Sequence, residues 1–237
     1  MSIKWIKSGI IFFFMEAGIM TCIGQGEAYI VLYPEESIEA KAFYDEHKNL
    51  FETAAQELGL SSEFLFSIVA PELTQYSYLR NRLETYSLKV LYVQRGKSYA
   101  DFSIGYFQMK PSFIERLETY LSLDTLLRSK YSSYLFTDPE ARTSRVERID
   151  RLNTVAWQIK YLSLFCETVN RKFGKLAFSN EEEKLRFYAS AYNCGFYKSE
   201  QQIKETEQKA LFPHFSKQKF KYADISVLFY REIMNEK

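Results

Sequence analysis

Apolar residues recur at three- and four-residue steps through most of this chain, and period-two alternation bounded by turn residues is scarce, so the pattern predicts a mainly α protein. Ser37 to Gly59 reads as a first helix, with Ser37 as N-cap, an acid in its first turn and Gly59 as its stop. A second starts from a Ser61 or Ser62 cap and reaches Pro71 after about two and a half turns. Residues 78–96 suggest a third that ends near Gly96, and Pro111 opens another. The longest pattern runs from Ser144 to Gly174. A capping box of Ser144 and Glu147 opens it, and Val146, Ile149, Leu152, Val155, Ile159, Leu162, Phe165, Val169 and Phe173 form one stripe. A second box, Ser179 with Glu182, opens a helix that Gly195 closes, and residues 221–234 make a C-terminal helix. There is no internal repeat and no low-complexity linker, so one domain is expected.

Composition narrows the partners. With 31 Lys plus Arg against 30 Asp plus Glu and no long basic run, the chain lacks the electrostatic footprint of a nucleic-acid binder. Its 18 Tyr and 20 Phe suit a core, and Tyr also lines sites for sugars and peptides. At the N-terminus Lys4 and Lys7 precede the apolar stretch GIIFFFMEAGIM, and small residues lead to Ala28, as in an export signal cut after Ala28. Lipoprotein processing at Cys22 is the alternative, with peripheral membrane anchoring through that residue. Either route delivers the chain to the periplasm or cell envelope. In that oxidising compartment Cys166 and Cys194 form either a disulfide or two buried small hydrophobes. His47 and His214 lack metal-ligand spacing, and no Ser-His-Asp constellation is suggested.

Chemistry concentrates in two stretches. In SIVAPEL, Pro71 and Glu72 follow an apolar run; Glu72 is either the first-turn acid of a new helix begun by Pro71 or an acid placed in apolar surroundings for use. Beside Ile68, Val69 and Leu73 its carboxyl is hard to ionise, which suits a general acid near neutral pH. In ADFSIGYFQMKPSF, Gly105 permits close backbone approach and Gln108 offers an amide that both donates and accepts.

SIVAPEL, then GYFQMKP, then Tyr161–Leu162, then AYNCG resemble, in order, the motifs of the soluble lytic transglycosylases, lysozyme-like enzymes that cleave bacterial peptidoglycan. The resemblance covers residues 62–195. It implies a lysozyme-like helical domain over residues 29–237, no cofactor or metal, glycan strands as partner, and cleavage of the β-1,4 bond between N-acetylmuramic acid and N-acetylglucosamine. Glu72 is then general acid and afterwards base, with Gln108, Tyr192, Asn193, Gly105 and Met109 about the substrate, and Tyr230 answers to a late tyrosine of the family. No second carboxylate is needed, because the substrate's 2-acetamido group assists and the muramic 6-hydroxyl closes a 1,6-anhydro ring. The chain departs from the family at Leu73, where a Ser is usual, at Phe107 and Met109 around Gln108, and in the 33 positions from Glu72 to Gly105, which hold an extra helix. Two other readings remain. Asp101 is a cap near the Gly105 loop or, if about 6.5–9.5 Å across from Glu72, the base of an inverting hydrolysis; and the domain is alternatively a weakly active module that binds glycan or scaffolds the cell envelope.

Overall fold

A run in which nearly every residue is apolar has no solvent face to offer, and the segment from Phe64 to Ala70 accordingly forms the centre of the molecule. The computed structural model describes residues 25–214 and 216–236 and shows a mainly α-helical single domain with one small hairpin. In chain order come α1 (Gln25–Leu32), α2 (Pro34–Leu58), α3 (Ser62–Leu73), α4 (Tyr78–Val90), α5 (Tyr92–Arg95), α6 (Pro111–Leu123) and α7 (Thr125–Tyr131). They are followed by α8 (Arg142–Leu152), α9 (Val155–Phe173), α10 (Glu181–Cys194), α11 (Glu200–Glu207), an antiparallel hairpin of β1 (Ala210–Phe212) and β2 (Phe220–Lys221), and α12 (Tyr222–Asn235). Helix α3 lies against α2, α10 and α12. Phe64, Leu65, Phe66, Ile68, Val69 and Ala70 are all fully buried in that packing, each large side chain contributing about 1.5–3 kcal/mol of hydrophobic stabilisation.

Local chemistry moves several helix ends from the positions expected. Helix α2 starts one turn early, because Pro34 with Glu35 and Glu36 makes a first turn before Ser37. Ser37 is therefore inside the helix, buried, and donates to the Tyr33 carbonyl at 2.6 Å. Ser61 caps α3 by accepting from the Phe64 amide at 3.1 Å, and Gly59 ends α2 in the left-handed conformation, both as expected. The predicted helix 78–96 breaks at Leu91 into α4 and α5.

The stretch Ser144–Gly174 is two helices, not one. The Asn153 side chain donates to the Ile149 carbonyl at 2.9 Å and the Thr154 hydroxyl to that of Arg151 at 3.0 Å, so polar side chains end α8 before α9 begins. Ser144 is no cap: it lies within α8 and donates to the Asp138 carbonyl, while Glu147 pairs with Arg151. Val146, 39% exposed, leaves the apolar stripe. The second box shifts by one residue: Asn180 accepts from the Glu183 amide at 2.8 Å, and Glu183 accepts from the Ser179 amide at 2.6 Å. The hairpin was not anticipated, its strands being too short for alternation to show.

Cys166 and Cys194 are both free, which corrects the disulfide; Cys166 fills the core as a small hydrophobe. The signal-like segment and Cys22 lie outside the described residues, except that Gln25–Ala28 form the first turn of α1. No described helix is long and apolar enough to cross a membrane.

One buried ionic network ties α5, α6 and α8 together. Arg148 on α8, fully enclosed, donates to both Glu118 oxygens on α6 at 2.9 and 2.6 Å and to the Tyr92 hydroxyl on α5. Tyr92 in turn donates to Glu115 at 2.9 Å. Removing one partner strands a buried charge, so Arg148→Met is expected to lower stability in urea unfolding by about 3–5 kcal/mol, whereas a loss under about 1 kcal/mol would contradict this role.

Candidate functional site

Helix α3 does not end at Pro71; it runs on to Leu73. Glu72 is thus in the last turn of the central helix, not the first turn of a new one, which removes the helix-dipole account of its presence. Pro71 deprives the helix of one amide, and the hydroxyl of Tyr222, the first residue of α12, donates to the neighbouring carbonyl of Ile68 at 3.0 Å. After Glu72, Thr74 donates to the Pro71 carbonyl at 2.7 Å and meets the Tyr29 hydroxyl at 2.5 Å, and Gln75 donates to Tyr29 at 2.9 Å. These bonds fix the end of α3, the turn that carries Glu72. Leu73 turns into the core.

The second stretch forms a tight turn between Ile104 and Met109, which pair as an isolated antiparallel bridge. Gly105 has φ +76°, and a Cβ there would stand 2.2 Å from the Gln158 amide nitrogen and 2.4 Å from the Leu152 carbonyl. Only glycine fits so close to its neighbours. Gln108 also takes positive φ, at 48°, and its side chain donates to the Gly105 carbonyl at 2.8 Å. Three helices clamp the turn. Gln158 on α9 accepts from the Phe107 amide at 2.8 Å, Tyr192 on α10 donates to the Phe107 carbonyl at 2.6 Å, and Asn81 on α4 accepts from the Gly105 amide at 2.7 Å.

Glu72, Gln108, Met109, Tyr192 and Asn193 line one cleft of about 670 Å³. The Asn193 amide, without a hydrogen-bond partner among the described residues, is available to a ligand. Two expected site residues stand elsewhere. Gly105 is buried behind the cleft wall and shapes it without lining it. Tyr230 lies two turns beyond Tyr222 on α12 and donates to Glu181 at 2.5 Å, outside the cleft. Asp101 lines the cleft, but its two oxygens accept from the Ser112 amide at 2.9 Å and hydroxyl at 2.6 Å, so it holds the first turn of α6.

Part of Glu72 opens to the cleft, yet its carboxyl is enclosed by packed atoms. That burial pushes its pKa from 4.5 to about 8, against the opposing pull of the Tyr222 hydroxyl, Arg80 and Lys110. Tyr222, Gln158, Arg80 and Glu84 escaped the sequence reading. Tyr222 sits in the same predicted helix as Tyr230, but it is Tyr222 whose hydroxyl acts on Glu72 and binds Ile68, while Tyr230 binds Glu181. Among the described residues no three His, Cys, Asp or Glu side chains converge as a metal site. Comparison of the chain with protein-family models, with curated proteins and with solved structures finds no match.

The Glu72 shift has a signed consequence for stability. Between pH 4.5 and about 8 the folded protein keeps a proton that the unfolded chain has released, so its contribution to stability falls as pH rises through that window. The slope is at most about 1.4 kcal/mol per pH unit, and smaller because the cleft admits water. Glu72→Gln carries no such proton. The stability of the variant minus that of the parent is expected to grow from pH 5 to pH 8 and then level off in urea unfolding; a difference flat across that range would contradict the shift.

Proposed function

We propose that this protein is a lytic transglycosylase of lysozyme-like fold that cleaves the β-1,4 bond between N-acetylmuramic acid and N-acetylglucosamine in peptidoglycan. The observation that carries the reading is Glu72: its side chain lines a cleft whose other walls include the GYFQMKP and AYNCG stretches, and burial pushes its pKa to about 8. Such an acid holds its proton at neutral pH and can give it to a leaving glycosidic oxygen. As C1–O4 breaks, the bond's electron pair goes to O4, which takes the Glu72 proton, while the substrate's 2-acetamido oxygen supports the anomeric carbon. The resulting carboxylate then takes the proton of the muramic 6-hydroxyl as that oxygen bonds to C1, which closes the 1,6-anhydro ring and restores the acid.

The residues around Glu72 suit this cycle. Tyr222 supplies the hydroxyl beside the acid that a Ser after it supplies in the family the chain resembles, where this chain has Leu73. Gln108 and Asn193 present amides, and Tyr192 an aromatic edge, to the sugar. Placement in the cell envelope, with glycan strands as partner and Cys22 as a candidate acylation point, follows from the same reading. Hydrolysis to reducing ends is the second reading, favoured by another acid in the cleft, Glu84.

The test is to incubate the purified protein with peptidoglycan sacculi and identify released muropeptides by mass spectrometry. Anhydromuramic ends are expected, with activity falling above about pH 8 as Glu72 loses its proton. Glu72→Gln is expected to lower turnover by about 10²–10⁴-fold without loss of fold. Absence of any release by the folded protein would replace both enzymatic readings with a glycan-binding module, and full activity in Glu72→Gln would remove Glu72 from the chemistry.

A further inference from the structure

Helix α4, in the stretch between Glu72 and the Gly105 turn, brings its own acid to the cleft. Glu84 lines the same cavity as Glu72, and its Oε2 is enclosed with no hydrogen-bond partner. A buried carboxylate oxygen left without a partner is destabilising, so its place in the cleft calls for a reason. Helix α4 is held firmly there. Asn81 binds the Gly105 amide, the Thr85 hydroxyl donates to Asn153 at 3.3 Å, and Arg80 donates to the Gln75 carbonyl at 2.6 Å. Arg80 precedes Glu84 by one turn, and its charge acts on Glu72 as well as on Glu84. The cleft therefore has two carboxyls that both feel the charge of Arg80. Asp101, the remaining acid of its lining, is committed to Ser112.

We propose that Glu84 is a second catalytic carboxylate, which takes a proton from a water attacking the anomeric carbon, so that the cleft produces hydrolysed as well as 1,6-anhydro ends. The proposal rests on Glu72 being the glycan-cleaving acid. The water oxygen bonds to C1, C1–O4 breaks, its electron pair goes to O4 with the Glu72 proton, and the water's proton goes to Glu84. The anomeric centre is inverted, as in glycosidases where one carboxyl protonates the leaving oxygen and another activates water. Burial, opposed by Arg80, raises the affinity of Glu84 for a proton, which suits a base working near neutral pH. Departure of O4 with acetamido support, which leads to the anhydro end, and direct attack by water then compete, and Glu84 sets the ratio.

The experiment digests sacculi with the full chain, reduces the products with borohydride at once, and counts new muramitol ends against anhydromuramic ends by mass spectrometry. The parent is expected to give both, and Glu84→Gln to keep cleaving while its muramitol fraction falls at least tenfold. Glu84→Asp, which retains the charge at shorter reach, is expected to fall between them and serves if the Gln variant does not melt cooperatively. Only anhydro ends from the parent, an unchanged ratio in both variants, or loss of all cleavage in folded variants would overturn the role of Glu84 and leave that of Glu72 standing. No ends of either kind from the parent would overturn the Glu72 reading, and this one with it.

Discussion

Enclosure of the Glu72 carboxyl is the constraint on which the site depends. A carboxylate buried among apolar atoms is disfavoured, so the protein keeps Glu72 protonated to about pH 8, and the fold supplies the burial. Helix α3 is buried from Ser62 to Pro71 because it lies at the centre, and Glu72 sits at the end where that helix meets the cleft. Near that end the hydroxyls of Tyr222, Thr74 and Tyr29 bind carbonyls of the helix or each other.

The rest of the cleft is positioned by elements far apart in sequence. The turn at Gly105 is held by one residue each from α4, α9 and α10, so the amide of Gln108 and the edge of Tyr192 are placed by the same bonds. Arg148 ties α5, α6 and α8 below it. Stability and geometry are linked in this arrangement, because the buried Arg148–Glu118 pair joins α6 to α8 and brings the Tyr92 hydroxyl of α5 to the same guanidinium.

Much of the helical order was legible in the chain, because periodicity and caps such as Ser61 and Gly59 act locally. What failed did so for identifiable reasons. Ser144 and Glu147 have the spacing of a capping box, but Asp138 and Arg151 compete for them, and Asn153 ends the helix where the apolar stripe alone would carry it on. Glu72, Gln108, Tyr192 and Asn193, expected from their motifs, line one cleft. Tyr222 and Glu84 were not expected, since each depends on which face of a helix meets α3 or the cleft, a tertiary matter. Asp101 was named for two roles, and its bonds to Ser112 leave it the cap, at α6 and not at the preceding loop.

The most direct test of the account is the titration of Glu72 itself. Carbon-13 NMR of the glutamate side-chain carboxyls, assigned by comparison with Glu72→Gln, should show the Glu72 resonance moving with a midpoint near pH 8. A midpoint near the ordinary 4.5 would mean that the cleft does not keep the acid protonated, and would contradict the mechanism at its first step.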